Sequence, residues 1–114
     1  MSTVRQSQSA VLERGVDLDK VHETEPFEVA WAGEARWFVQ FYRPAPGSTV
    51  EFRVQISPDG INWLDHEGAV PVESEAVGLL SIPVTHFGHW LRLRSEHKSG
   101  DAAPMLRIYL ELKE

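Results

Sequence analysis

Cysteine is absent from this chain of 114 residues. The sequence therefore excludes a disulfide framework, a thiolate nucleophile and a zinc site built on cysteines, and it favours a reducing compartment. Long apolar runs are missing as well, since no segment approaches the roughly 20 apolar residues of a membrane span. The opening residues, MSTVRQSQSAVLERG, lack the apolar centre of a signal peptide. We therefore expect a cytoplasmic protein without a membrane partner.

Basic charge is scarce too, because 11 Lys and Arg residues stand against 17 Asp and Glu residues, for a formal net charge of −6. Nonspecific nucleic-acid binding depends on clustered basic side chains, so this balance argues against a nucleic-acid partner. Glycine-rich phosphate loops and the G-x-S-x-G elbow of serine hydrolases are also missing. The sequence thus predicts a non-catalytic protein that needs no cofactor.

The clearest positive signal is the stretch VEFRVQISPDGINW, residues 50–63. Apolar and polar residues alternate from Val50 to Ile56, which predicts a strand with one buried face. The following Ser-Pro-Asp-Gly, residues 57–60, predicts a hairpin turn, because its proline presets φ and its glycine can adopt positive φ. We expect Trp63 on the return strand to anchor the core, so that Trp63→Ala would cost several kcal/mol.

Similar alternation recurs along the chain. The longer segments are residues 35–43, 90–94 and 106–112, and the shorter ones lie near residues 16–21, 27–31, 69–72 and 77–84. Eight or nine short strands without a helical period predict an all-β fold, an antiparallel β-sandwich of jelly-roll type. We expect residues 15–114 to form this single domain and residues 1–14 to be a polar N-terminal arm or a short edge segment.

Three motifs carry a resemblance to a known family: S-P-D-G-I-N-W at 57–63, H-W-L-R-L-R at 89–94 and L-R-I-Y-L-E-L at 106–112. Together they resemble the second half of discoidin-like (coagulation factor C-type) jelly-roll modules, in which an S-x-D-G-x-x-W hairpin precedes two alternating strands. The same hairpin is found in small sandwich modules of phage particles and other bacterial assemblies. The resemblance implies a jelly roll and adds a virion-associated location as an alternative, but its residues serve the scaffold and imply no ligand site.

Residues expected to point away from the core are rich in aromatic rings and arginines. The set is Arg36, Phe38, Tyr42, Arg53, Trp90, Arg92, Arg94, Arg107 and Tyr109. Because Trp, Tyr and Arg dominate protein-interface hot spots, this set predicts a surface for self-association or for docking on a larger protein. An alternative of equal weight is that these residues belong to different sheets and form separate ladders of Arg with Glu.

Exposed rings can also stack on sugars, so the runner-up interpretation is a carbohydrate-binding module with a glycan partner. Its first candidate residues are Tyr42, Gln40 and Trp90. A third interpretation is a metal-dependent enzyme that uses His86, His89 and an acidic partner. Residues three apart on a strand point to opposite faces, however, so these two histidines converge only if Gly88 bends the chain. Loop histidines are the simpler account, as they are for His66.

Overall fold

A computed structural model describes residues 5–114 and places them in two antiparallel sheets. The four-stranded sheet has the order β1-β10-β4-β8 and contains β1 (Ser7–Asp17), β4 (Glu34–Arg43), β8 (Leu79–Val84) and β10 (Met105–Lys113). The six-stranded sheet is built on β5 (Ala45–Ser57) and β9 (Trp90–Ser99), which pair with each other. The short strands β2 (Val21–Glu23) and β3 (Phe27–Glu28) pair with β9, and β6 (Leu64–Asp65) and β7 (Val72–Ala76) pair with β5.

This architecture confirms the prediction of an antiparallel β-sandwich of jelly-roll type. The described residues form ten strands rather than eight or nine. The additional strand lies before residue 27, where the sequence predicted one strand near residues 16–21 and the structure has both β1 and β2. Residues 5–114 contain no helix that is long and apolar enough to cross a membrane.

The core lies between the two sheets and is filled by alternate residues of the long strands. Trp37 of β4 and Phe52 of β5 are its largest fully buried side chains. The rings of Phe41 and Phe52 meet across the interface between the sheets, with centroids 6.1 Å apart and planes tilted by 57°. Such tilted aromatic contacts add to the free energy gained by burying apolar area. Each long strand therefore presents its remaining residues on the outer surface.

Trp63 lies outside this core, so the prediction that it anchors the core is wrong. The turn after β5 is held by side chains: Ser57 Oγ accepts the Gly60 N–H at 2.8 Å, and Asp59 Oδ1 accepts the N–H groups of Ile61 and Asn62 at 2.9 and 2.8 Å. These bonds keep the chain out of the sheet until Leu64, where β6 begins. Trp63 therefore falls before the return strand and is only half-buried.

Strand β1 forms one edge of the four-stranded sheet and pairs with β10 from Ser7 onward. Its ladder is interrupted twice, between Val11 and Glu13 and again between Glu13 and Val16. Beyond the ladder, the Glu114 N–H donates to the Gln6 carbonyl at 2.9 Å, so the ends of the described chain lie side by side. The division into an arm over residues 1–14 and a domain over 15–114 stays a prediction. Residues 1–4 lie outside the described part.

Candidate functional site

The structure divides the nine predicted binding residues between two opposite outer faces. Arg53, Trp90, Arg92 and Arg94 lie on β5 and β9, in the six-stranded sheet. Arg36, Phe38, Tyr42, Arg107 and Tyr109 lie on β4 and β10, in the four-stranded sheet. Because the core separates the sheets, the two groups cannot act as one surface. Each face is therefore considered by itself.

On the six-stranded sheet the outward arginines are paired with carboxylates. Arg53 donates to Glu51 and to Asp65, at 2.8 Å in each case. Hydrogen bonding to Glu51, and then to Asp65, raises the pKa of Arg53 above its ordinary value. The Gln55 side chain, and then Arg53, lower the pKa of Asp65 despite its partial burial. These contacts stabilise the charged forms of both partners.

The network continues along β9. Arg92 donates to Gln55 at 2.7 Å and to Glu23 at 3.0 Å, and its guanidinium lies 4.5 Å from the centroid of the Trp63 ring. Arg94 donates to Glu96 at 3.1 Å. Arginines that already have carboxylate partners have less charge to offer a further partner. Two of these ion pairs, Arg53 with Asp65 and Arg92 with Glu23, join neighbouring strands as the ladder alternative describes, whereas Arg94 and Glu96 lie on one strand.

Trp90 is also engaged within the chain. Its half-buried ring lies on the turn after β5, since a Cβ added at Gly60 would be 3.4 Å from the ring. The neighbouring His89 ring lies 5.7 Å from it, centroid to centroid. The Trp90 side chain thus packs on the hairpin turn.

The outer face of the four-stranded sheet is different, and its cross-strand register arranges it in three rows. The central row is Val11, Tyr109, Phe38 and Ser81; the Glu111 row is Ser9, Glu111, Arg36 and Pro83; and the Arg107 row is Arg107, Gln40 and Leu79. We call these three rows, with Tyr42 beyond the last of them, the aromatic face. Apolar side chains here are strongly exposed: Val11 by 49%, Tyr42 by 53% and Leu79 by 65%.

The arginines of the aromatic face have no carboxylate partner within residues 5–114. The Arg107 guanidinium lies 3.9 Å from the centroid of the Tyr42 ring, and its Nε donates to the Arg14 carbonyl at 2.8 Å. Arg36 Nη1 donates to Ser81 Oγ at 3.1 Å. Both guanidinium groups are therefore held in place by neutral partners. Neither forms an ion pair within residues 5–114, although Glu111 lies opposite Arg36 in the register of β10 and β4.

Two strongly exposed apolar members of the aromatic face, Val11 and Leu79, were missed from the sequence. Val11 falls in the segment predicted as an arm, and only its pairing with Tyr109 places it on the sheet. Leu79 follows Gly78, and alternation with the buried Ile82 and Val84 points it outward. The phase of β8 was a usable signal for Leu79, whereas no local signal identified Val11.

The histidines do not form a metal centre with acidic neighbours in the described part of the chain, where no group of three or more potential ligands converges. His89 lies 3.3 Å from a carboxylate oxygen of Glu28, and His86 is exposed with φ of 55°. Buried His66 has a structural role: its Nδ1 accepts the Gly68 N–H at 2.9 Å, so its Nε2 carries the proton and donates to the Thr85 carbonyl at 2.6 Å.

The glycan candidates are also divided between the sheets. Tyr42 and Gln40 share the aromatic face, whereas Trp90 lies on the opposite sheet. One face of the Tyr42 ring is covered by Arg107. The three side chains therefore do not form a common platform for a sugar.

Comparison with known proteins gives a family and a fold. A family model described as "Domain of unknown function (DUF6385)" matches residues 45–114. No curated protein matches the chain. Among solved structures, the chain is similar to PBSX exported protein XepA, with a TM-score of 0.67 and 11% identity over 92% of this chain and 36% of XepA.

Two further structures share the fold. SPBc2 prophage-derived protein YomS superimposes with a TM-score of 0.61 and 10% identity over 100% of this chain and 98% of YomS. A structure of infectious bursal disease virus, Gx strain, matches with a TM-score of 0.52 and 9% identity over 96% of this chain and 32% of the viral chain. The chain thus spans about a third of XepA and nearly all of YomS. At these identities the likeness establishes the sandwich fold alone.

Proposed function

Because the chain belongs to the family of domains of unknown function DUF6385, we propose its role from its structure: a non-catalytic module of a protein assembly that binds a protein through the aromatic face. The observation that carries this proposal is the contrast between the two outer faces. Arginines on the six-stranded sheet form ion pairs with carboxylates, whereas Arg36 and Arg107 on the aromatic face form none with residues 5–114.

The composition of the aromatic face supports a protein partner. Exposed Val11, Tyr42 and Leu79 surround half-buried Phe38 and Tyr109 on the sheet of four strands. Aromatic rings and arginines bury large areas at low entropic cost and can still form hydrogen bonds, which is why they concentrate in interface hot spots. An apolar patch of this kind on a soluble domain is typical of a docking surface.

A glycan is the weaker alternative for this face. Sugar stacking needs an open aromatic face, and the Arg107 guanidinium already covers one side of the Tyr42 ring at 3.9 Å. The location expected from the sequence, cytoplasmic or virion-associated, belongs to the same proposal. The fold shared with prophage-derived YomS is compatible with a role in a phage particle.

The proposal is tested by photo-crosslinking in the source organism. A photoreactive amino acid replaces Leu79, which is 65% exposed on the aromatic face. The matched control carries the same amino acid in place of Val70, which is 77% exposed in the connection between β6 and β7. We expect discrete protein adducts from position 79 and none of them from position 70. Mass spectrometry identifies the crosslinked proteins.

Absence of adducts at position 79, or the same adducts at both positions, would contradict the proposal. A glycan array probed with the wild-type domain provides the second arm. Saturable binding that is lost on Tyr42→Ala would favour the carbohydrate interpretation over a protein partner.

A further inference from the structure

The aromatic face has a pattern that is complementary to itself. Its central row is apolar or neutral and is flanked by the Glu111 row on one side and the Arg107 row on the other. On β10, β4 and β8 the two flanking residues lie two positions to either side of the central row, whereas β1 contributes Ser9 and Val11 but no residue to the Arg107 row. A rotation by 180° about the line of the central row places one flanking row over the other.

We propose that the partner of the aromatic face is a second copy of this chain, bound face to face about a twofold axis that runs along the central row. This inference rests on the proposed function and specifies its partner. A closed pair with twofold symmetry uses the same surface patch on both subunits, so self-complementarity is the property such a patch must have.

Strand β10 supplies the charge complementarity. Glu111 and Arg107 lie two residues to either side of Tyr109 on the same face, so the rotation brings each Arg107 opposite the Glu111 of the other copy, twice per dimer. Within one chain these residues are about 13 Å apart, given a rise of about 3.3 Å per residue, so they cannot pair with each other. The dimer would give Arg107 the carboxylate partner that it lacks.

The neighbouring strands obey the same relation. On β4, Arg36 and Gln40 flank Phe38, so the rotation places each guanidinium opposite an amide oxygen that can accept its hydrogen bond. On β8, Pro83 and Leu79 flank Ser81, so apolar side chains meet apolar side chains. No charge on these three strands is placed opposite a like charge.

The geometry of stacked sheets permits these contacts. Packed sheets lie about 10 Å apart and cross at about 30°, which displaces residues two positions from the axis by only about 3 Å, within reach of Arg and Glu side chains. Four strands of about nine residues cover about 30 by 19 Å. The dimer would thus bury about 1,100 Å² in total, near the lower limit for a specific interface, so we expect a concentration-dependent dimer with micromolar affinity.

Analytical ultracentrifugation over a series of protein concentrations tests the inference by charge exchange. We expect a wild-type monomer–dimer equilibrium, weakened at least about tenfold by Arg107→Glu or by Glu111→Arg, because each change places like charges opposite each other twice. The double variant Arg107→Glu/Glu111→Arg should restore the wild-type dissociation constant to within about threefold. Lys98→Glu, on β9 of the other sheet, makes the same change in net charge as Arg107→Glu and should leave the dimer unaltered.

Circular dichroism confirms that each variant is folded. A wild-type chain that is monomeric at every concentration, or a double variant no better than the single variants, would overturn the inference. A monomer that still crosslinks to a different protein from position 79 would leave the protein-binding proposal intact and refute only the second copy. A monomer without crosslinks would refute both.

Discussion

Replacing Gly100 with alanine should destabilise the domain far more than replacing Gly78, although both glycines have positive φ. Gly100, with φ of 100°, follows β9, and a Cβ built on it would lie 2.5 Å from the Ser48 Cα and 2.8 Å from its Cβ. Gly78, with φ of 83°, has no heavy atom within 4 Å of the same added Cβ. The pair therefore separates backbone strain from steric overlap.

The expected magnitudes follow from these two contributions. Positive φ costs an alanine about 1–2 kcal/mol at either position. At Gly100 the Ser48 backbone must also move, which adds about 1–3 kcal/mol and weakens the 2.7 Å hydrogen bond from Ser48 Oγ to the Ala102 carbonyl. We thus expect a loss of about 2–5 kcal/mol for Gly100→Ala and about 1–2 kcal/mol for Gly78→Ala.

Equilibrium unfolding in urea, followed by tryptophan fluorescence, measures both free energies of unfolding. The close approach of Gly100 to Ser48 would be refuted if the free energies of unfolding of the two variants differed by less than about 0.5 kcal/mol, which is the range of ordinary surface substitutions.

Three further predictions use the same unfolding assay. Trp37→Ala should cost about 3–5 kcal/mol, whereas Trp63→Ala, which loses mainly a contact with the half-buried Arg92, should cost about 1 kcal/mol. A reversed order would contradict the placement of the two rings. His66→Ala should cost about 2 kcal/mol, because the Gly68 N–H and the Thr85 carbonyl lose the partner that the buried His66 ring provides. An unchanged stability would argue against this role of His66. Hydrogen bonds, first from the Asn62 N–H, hold the pKa of Asp59 well below its ordinary value. The stabilisation by ionised Asp59 is therefore fully present above the unfolded-state pKa of about 3.9 and is lost as the pH falls towards the folded-state pKa. Asp59→Asn should thus destabilise the domain at pH 7 but progressively less in acid. A penalty for Asp59→Asn that does not change with pH would exclude this coupling.

Local sequence patterns were sufficient to predict the fold class, because each long strand has its own alternation of apolar and polar residues. The alternation in β4, β5 and β10 is created by the burial of one face, and it is readable without knowing which strand lies beside which. Trp63 shows where this reasoning stops. The side-chain bonds of Asp59 lengthen the turn, and a turn that is longer by a few residues moves the next ring out of the core.

The sequence was sufficient to predict that the binding residues face outward, but not which of them share one surface. Whether Arg92 and Arg107 share a face depends on which sheet each strand joins, and that is decided by pairing between distant segments. Val11 depends on the same long-range information, because only the ladder between β1 and β10 places it beside Tyr109. Ion pairing of the arginines with Glu23 and Asp65 likewise joins residues far apart in the sequence.

The hydrogen-bonded proximity of Gln6 and Glu114 affects how this domain could be circularly permuted or inserted into other polypeptides. Since the backbone enters and leaves the sandwich at one point, a short linker could circularise it, and new termini could be opened in an exposed turn such as that at Gly78. For the same reason the whole unit could be inserted into a surface loop of a host protein without pulling the two sides of that loop apart. Such a graft would display the outer face of the four-stranded sheet while the host keeps its own fold.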